Sequence, residues 1–264
     1  MSEDRENYPP SVFPKVSYTD EENGTWAILL QRYIDMIPDH MCDAYLSCFH
    51  KMKYPRDRIP LLGEIEGQLK KYTNWRLQRV HGLTPNAEFY EMMATRVFPC
   101  NDFIRARKDI DYTPSPDIFH EAVGHVPILI DPAMAEYSYK FGVFGKTVLE
   151  KYGPKKLTPL GRIYWFTVEF GLINTPNGPR IYGAGFAPGE MVHALSDKVE
   201  KRPFRIDEVG HFAYRYDQMQ NTLFVIDSFD DMVRQFDDWS AHFDPTHDYG
   251  RNPGTDPAGA DNQM

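Results

Sequence analysis

Apolar positions recur at helical spacing through most of this chain. Trp26, Leu29, Leu30, Tyr33 and Ile34 mark a helix from Gly24 onward, with Thr25 as its expected N-cap. Cys42, Tyr45, Leu46 and Phe49 stand at i, i+3, i+4 and i+7 and predict a second helix, with a third near residues 61–72. The run from Trp75 to Val80 alternates as a short strand does. Asn86 is placed to cap a helix through Phe89, Met93 and Val97, and residues 133–152 read as another amphipathic helix. Thr158-Pro159-Leu160 is a start signal, with threonine at the cap and proline at the first helical position. The helix it opens carries Tyr164, Trp165 and Glu169 and should end before Asn174-Thr175-Pro176. Further on, Arg180–Phe186 reads as a strand entering a glycine-rich loop, Glu190–Leu195 as a short helix and Thr222–Ile226 as a buried strand. Ser228-Phe229-Asp230-Asp231 resembles a capping box opening a helix to about Phe243.

The pattern predicts a mainly α protein with a few short β-strands, in one domain spanning 21–244. Residues 1–20, with Pro9, Pro10 and Pro14, are expected to form an extended arm. Residues 245–264 are rich in proline and glycine, nearly free of apolar side chains, and expected to be a disordered tail. No internal repeat and no clean linker divides the chain.

Composition narrows the function classes. A net charge of -9 argues against nucleic acid or an anionic membrane as partner, and no 18-residue apolar run exists to span a bilayer. The polar, acidic start does not read as a signal peptide. Cys42, Cys48 and Cys100 are odd in number and lack C-x-x-C spacing, so a disulfide framework is not expected and a reducing, cytoplasmic setting is. At 14%, the aromatic content suits aromatic-lined cavities as well as core.

The chemistry concentrates in Asp117-Ile118-Phe119-His120-Glu121-Ala122-Val123-Gly124-His125-Val126-Pro127, which sets two imidazoles and a carboxylate in an apolar segment. A second segment, Tyr164 to Leu172, carries one carboxylate, Glu169, among aromatic and aliphatic residues. A buried carboxylate must neutralise, pair or bind a metal. His120, His125 and Glu169 together form the donor set of a non-haem Fe(II) facial triad; the bland alternative is a pair of hydrogen-bonded core histidines. The spacing is H-E-x-x-x-H, one residue longer than the zinc-protease H-E-x-x-H. In a regular helix, i+5 turns the second ring by about 140° from the first. One ion can then bind both only where the helix loosens or ends, for which Gly124 and Pro127 make provision.

Around this centre, Thr113-Pro114-Ser115-Pro116 stops any preceding helix, and Asp117 can cap the next. Arg105 is either a solvated charge or a fork for a substrate carboxylate. Trp165 shares a helix face with Glu169, beside the metal, unless it is ordinary core; core is also the bland reading of Phe89. Two rival motifs fail. Gly183-x-Gly185-x-x-x-Gly189 misses dinucleotide spacing, and His242-Phe243-Asp244 lacks the downstream histidine that 2-oxoglutarate oxygenases require.

With these residues in view, the chain resembles the tetrahydropterin-dependent aromatic amino acid hydroxylases, and most closely the single-domain bacterial phenylalanine 4-hydroxylases. The resemblance runs from about Tyr18 to Trp239. Three motifs carry it in order: Thr113-Pro114 to Pro127, Tyr164 to Leu172, and Arg180-Ile181-Tyr182-Gly183-Ala184-Gly185. It implies that family's catalytic-domain fold, with Fe(II) on His120, His125 and Glu169. It further implies a tetrahydropterin stacked on Phe89 with Glu121 and Tyr164 near the pterin and O2, as binding and catalytic residues. Arg105 would grip the amino acid carboxylate, and Thr113 and Trp165 would shape the substrate pocket. O2 and the pterin are co-substrates. A monomer or simple dimer is implied, without the regulatory domain or tetramerising heptads of the animal enzymes. The chain departs from the family at Phe186-Ala187-Pro188-Gly189-Glu190, a shorter loop at the substrate end.

Phenylalanine hydroxylated to tyrosine is therefore the expected reaction. The same chemistry on tryptophan, anthranilate or another ring position is the alternative that the shortened loop raises. A pterin-independent Fe(II) ring-cleaving dioxygenase and a non-catalytic pterin-binding protein are the competing classes.

Overall fold

A computed structural model of the chain describes residues 11, 13–111, 115–215 and 219–250. Helix α1 (Asp20–His40) starts earlier than the apolar pattern suggests. Thr19 rather than Thr25 is its N-cap: the Thr19 hydroxyl accepts Glu22 N–H at 3.3 Å, and Glu22 Oε2 accepts Thr19 N–H at 2.7 Å. This reciprocal box satisfies two orphan donors where Thr25 would satisfy one. Thr25 lies inside the helix, its hydroxyl donating to Glu21 O at 2.9 Å. Helices α2 (Asp43–Met52) and α3 (Leu62–Leu69) follow as expected, and α1 and α2 bury Trp26, Tyr33, Tyr45 and Phe49.

Strand β1 (Arg76–Val80), helix α4 (Asn86–Met93) and strand β2 (Val97–Asn101) form a right-sized crossover unit, with β1 and β2 parallel and Val80 opposite Asn101. Two expectations change here. Asn86 is the first residue of α4, which follows Pro85 without a side-chain cap. Val97 belongs to β2 and not to the helix, because Arg96 turns into the left-handed region (φ 56°) and ends it. Every residue of β2 is buried, so the strand shows no alternation to read.

Asp131 caps the long helix α5 (Pro132–Tyr152), accepting Ala133 N–H and Met134 N–H at 3.0 and 3.1 Å. Helix α6 (Thr158–Tyr164) has Thr158 within its first turn and not as a side-chain cap. The remaining elements are β3 (Leu172–Ile173), β4 (Arg180–Ile181), α7 (Pro188–Leu195), β5 (Glu200–Pro203), α8 (Ile206–His211), β6 (Thr222–Ile226) and α9 (Phe229–Ala241). The four strands form one sheet in the order β4-β3-β6-β5, with β3 and β5 parallel to β6 and β4 antiparallel to β3. Ser228 caps α9 through Asp231 N–H at 3.1 Å. A continuous apolar core runs from α1 to α9 and surrounds the segments that hold the two histidines and Glu169.

Both ends of the described chain lie on this body. Ser11 donates to Glu66, Tyr18 OH donates to Asp102 O at 2.8 Å, and Arg162 donates to Tyr249 O at 2.7 Å. Residues 1–10, 12 and 251–264 of the expected arm and tail lie outside the described residues. No described helix is long and apolar enough to cross a membrane, and Cys42, Cys48 and Cys100 are buried free thiols.

Candidate active site

Both segments singled out in the sequence fold as π-helical turns, His120–His125 and Trp165–Glu169. In such a turn the hydrogen bond runs from residue i+5 to residue i, as in Val126 N–H to Glu121 O (3.1 Å) and Phe170 N–H to Trp165 O (2.9 Å). This answers the spacing problem. The helix neither loosens at Gly124 nor stops before His125; it widens, so residues five apart lie one above the other. His120 Nε2 and His125 Nε2 are 3.0 Å apart.

A wide turn leaves carbonyls without their usual partners. Ala122 O would take the Val126 N–H in an α-helix, but that donor is committed to Glu121, and Pro127 has no N–H for Val123 O. The Tyr54 and Tyr45 hydroxyls fill these places, donating to Ala122 O and Val123 O respectively, and Tyr33 OH supports Tyr45 at 2.7 Å. Around Glu169 the backbone of the glycine-rich strip does the same work: Ala184 N–H donates to Val168 O (2.9 Å) and Gly185 N–H to Glu169 O (2.8 Å). The strip must approach closely. A Cβ on Gly183 would stand 2.3 Å from Glu169 O, and one on Gly124 would stand 2.9 Å from Ala184 O.

Glu169 faces both rings, with Oε2 3.7 Å from His120 Nε2 and Oε1 3.3 Å from His125 Nε2. Ligand atoms of Glu121 also lie within 4.8 Å of the two histidines, so two carboxylates compete for the role of third ligand. Their surroundings separate them. Burial pushes the Glu121 carboxyl up to about 8, whereas for Glu169 the charge and hydrogen bond of His125 outweigh burial and lower it. Burial and the neighbouring His125 push His120 down to about 4, leaving a neutral ring with a free lone pair. For His125 burial acts downward, but Glu169 wins and raises it. An anionic carboxylate and two convergent imidazole nitrogens fit a divalent cation, and imidazole with carboxylate suits iron. His125 Nδ1 has no partner among the described residues; its ring is packed against Phe98, with centroids 5.2 Å apart.

The pocket over this centre is lined by Gly82, Leu83 and Thr84 from one loop, by Phe89, Phe98 and Pro116, and by Glu121 and Tyr164. Phe89 and Tyr164 meet edge to face at 5.6 Å and 88°, and burial holds the Tyr164 phenol well above its ordinary value. Seven predicted residues have described positions near this centre or its approaches, and two others need comment. Thr113 lies outside the described residues. Trp165 does not line the pocket: in the widened turn it stacks on Tyr214 at 4.3 Å and 13°, and its Nε1 has no partner among the described residues. The expectation that i, i+4 spacing sets Trp165 beside Glu169 rests on an α-turn that is absent here.

Arg105 is neither solvated nor empty-handed. Asp117 occupies its fork, with Oδ2 2.8 Å from Nε and Oδ1 2.9 Å from Nη2, and accepts the Arg105 N–H as well. Asp117 also caps His120 N–H at 3.0 Å, the capping role expected for it. Arg105 outweighs burial and lowers the Asp117 carboxyl. The loop 82–84, Phe98, Asn101, Tyr45 and Tyr54 escaped the sequence reading because each looks like turn or core, and only their long-range contacts give them a place. A wider depression lined by Arg202, Asp207, Glu208, His211 and Phe212 presents no such convergence, since Arg202 is already paired with Glu200 and Glu208 at 3.0 Å.

A family model described as biopterin-dependent aromatic amino acid hydroxylase matches residues 6–258. The chain is 40% identical over 215 residues to a phenylalanine-4-hydroxylase of Caulobacter vibrioides, covering 80% of this chain and 72% of that protein. It is 37% identical over 237 residues to the Chromobacterium violaceum phenylalanine-4-hydroxylase, covering 89% and 78%. Among solved structures, the iron- and phenylalanine-bound C. violaceum enzyme matches with a TM-score of 0.77 at 37% identity, over 83% of this chain and 79% of that one. The apo cold-active phenylalanine hydroxylase of Colwellia psychrerythraea 34H matches with a TM-score of 0.79 at 36% identity, over 89% of each.

Proposed function

The chain belongs to the biopterin-dependent aromatic amino acid hydroxylases, and from that premise we propose that it hydroxylates L-phenylalanine to L-tyrosine. It is a monooxygenase that uses Fe(II), a tetrahydropterin and O2. The observation that carries the reading is the meeting of His120, His125 and Glu169 on two π-turns, with Nε2 atoms 3.0 Å apart and a carboxylate facing both.

In this reading His120, His125 and Glu169 hold the metal. The chemistry supplied by bound Fe(II) and reduced pterin is the activation of O2, one atom of which enters the aromatic ring. The chain's own residues bind and orient. Phe89 offers an aromatic wall to the pterin ring, and its edge-on contact with Tyr164 fixes its angle. Glu121, its carboxyl pushed up by burial, presents a hydrogen-bonding group to the pterin. Tyr164 keeps its proton and serves as a neutral donor near the O2 site. Arg105, aimed by Asp117, retains hydrogens beyond the two in that fork and is the group for the substrate carboxylate. Thr113, and Trp165 from its stack with Tyr214 outside the cavity that Phe89 and Tyr164 line, are the further residues assigned to the substrate side. Residues 21–244 act as a single catalytic domain, working as a monomer or simple dimer in the cytoplasm; the buried free thiols support a reducing compartment.

The test is O2 uptake by the Fe(II)-loaded protein with tetrahydropterin and, in parallel, phenylalanine, tyrosine, tryptophan or anthranilate. Stoichiometric pterin oxidation with tyrosine formed from phenylalanine is the expected result. A ring-hydroxylated product from another member of the panel would move the substrate assignment to the loop at Pro188. O2 uptake indifferent to pterin would overturn the reading.

A further inference from the structure

The pairing of β1 with β2 sets Val80 opposite Asn101, so the loop that leaves β1 starts beside the residue that ends β2. Asn101 is wholly buried and uses its side chain as a peptide mimic on that loop. Its Oδ1 accepts Gly82 N–H at 2.7 Å, and its Nδ2 donates to Gly82 O at 3.2 Å. These two contacts fix which way the amide points, because an N–H must meet the oxygen and a carbonyl the nitrogen. The side chain also hydrogen-bonds Glu121, which lines the same pocket. One amide, with two donors and one acceptor, thus ties the loop to the Glu121 carboxyl within one pocket lining. Within the loop Leu83 is 42% exposed, while Thr84 is buried.

We propose that Asn101 is the positioning residue of the pterin site, setting the Gly82–Thr84 loop and the Glu121 carboxyl at one fixed separation within the pocket. The inference rests on the reading of this pocket as the pterin site. Asn101 does not touch the reacting atoms; it acts by preorganising two groups that do the binding, so its loss is felt in pterin affinity before it is felt in metal or amino acid binding.

The experiment measures binding of a 7,8-dihydropterin to the Fe(II)-loaded protein by calorimetry under anaerobic conditions, alongside the KM values for tetrahydropterin and phenylalanine. Asn101→Ala is expected to weaken dihydropterin binding by about tenfold or more, since both loop bonds and the Glu121 bond are lost. The phenylalanine KM and the iron content should stay within about twofold of wild type. Asn101→Asp keeps the volume and the acceptor for Gly82 N–H but loses both donors, and it carries the test if the alanine variant fails to fold. Its pterin affinity should fall. Its melting temperature should also fall, because a buried carboxyl then faces Gly82 O and Glu121, so the deciding readout is pterin affinity against iron content on the folded protein. Unchanged pterin affinity in the variants would overturn the proposal, as would a loss shared equally by pterin, iron and phenylalanine. Wild-type protein that binds no pterin would instead overturn the functional reading itself, and that is seen before any variant is made.

Discussion

Asp117 and Arg105 form a buried two-bond fork, Oδ2 to Nε at 2.8 Å and Oδ1 to Nη2 at 2.9 Å, in which the carboxylate is wholly buried and the guanidinium nearly so. The same carboxylate caps His120 N–H. One side chain therefore aligns the residue proposed to hold the substrate carboxylate and the start of the turn proposed to bind the metal. Asp117→Ala should cost about 3 kcal/mol or more of stability, because it strands a buried guanidinium. It should also raise the phenylalanine KM and lower iron affinity together. Denaturant unfolding, iron titration and steady-state kinetics on the one variant check all three, and retention of iron affinity would detach the cap from the site.

The two carboxylates near the histidines make opposite predictions. Glu169→Ala and His120→Ala should abolish stoichiometric iron binding. Glu121→Gln, which replaces a carboxyl that burial pushes up, should leave iron content close to wild type and weaken pterin binding instead. Metal analysis after dialysis separates them; loss of iron from Glu121→Gln alone would reverse the assignment.

Tyr45 and Tyr54 bear on the metal without approaching it. Each phenol satisfies a carbonyl that the π-turn leaves open. Removing either hydroxyl as Tyr→Phe should cost about 1–3 kcal/mol, the penalty of an unsatisfied buried acceptor. The double variant should lose iron affinity more than either single one. Urea unfolding with and without Fe(II) gives both numbers.

Gly183→Ala should be more damaging than its one carbon suggests. The added Cβ would press on Glu169 O at 2.3 Å and Gly171 N at 2.6 Å, both backbone atoms that cannot swing aside. The strip must shift, and Glu169 with it. The expected result is a folded, less stable protein with weakened iron binding, read by thermal melting and metal titration.

Acid should destabilise the fold through Glu66 as well as through the site. Glu66 is buried and accepts from Leu77 N–H (2.8 Å), Ser11 and Lys70, and these bonds outweigh burial to hold its carboxyl below its ordinary 4.5. A carboxyl lowered on folding contributes stability that is present above its unfolded value and lost as pH falls through its folded value. Unfolding free energy should therefore decline below about pH 4.5, and Glu66→Gln should flatten that decline while lowering stability at pH 7. A variant with the wild-type slope would remove Glu66 from the account.

Much of this was legible in the chain itself. Amphipathic spacing predicted α2 and α5, a capping signal predicted α9, and the residue types of His120, His125 and Glu169 pointed to one centre, where the structure sets the Glu169 carboxylate within 3.7 Å of both rings. What was not legible has a common cause. The π-turns have no residue signature in H-E-A-V-G-H, because they are held open by Tyr45, Tyr54 and the 183–185 strip, which are distant in sequence or indistinguishable from core and loop. Strand β2 is buried on both faces and so reads as a continuation of the helix before it. Arg105 stayed open between a solvated charge and a carboxylate fork because its partner lies 12 residues away. Local pattern identifies elements; it does not report which distant donor completes them.

The widened turn also dictates which kinds of genetic change the site can absorb. Removing one residue between His120 and His125 leaves H-E-x-x-H, the spacing at which an ordinary α-turn sets two imidazoles on one face in zinc hydrolases. The two histidine spacings are thus one codon apart in this segment. That codon is held by structure outside it, because a shortened turn keeps the carbonyl that Pro127 leaves open but removes the other, leaving one tyrosine hydroxyl without its acceptor. Substitutions between the histidines are a matter of fit, whereas insertions and deletions there change what kind of metal site the segment encodes.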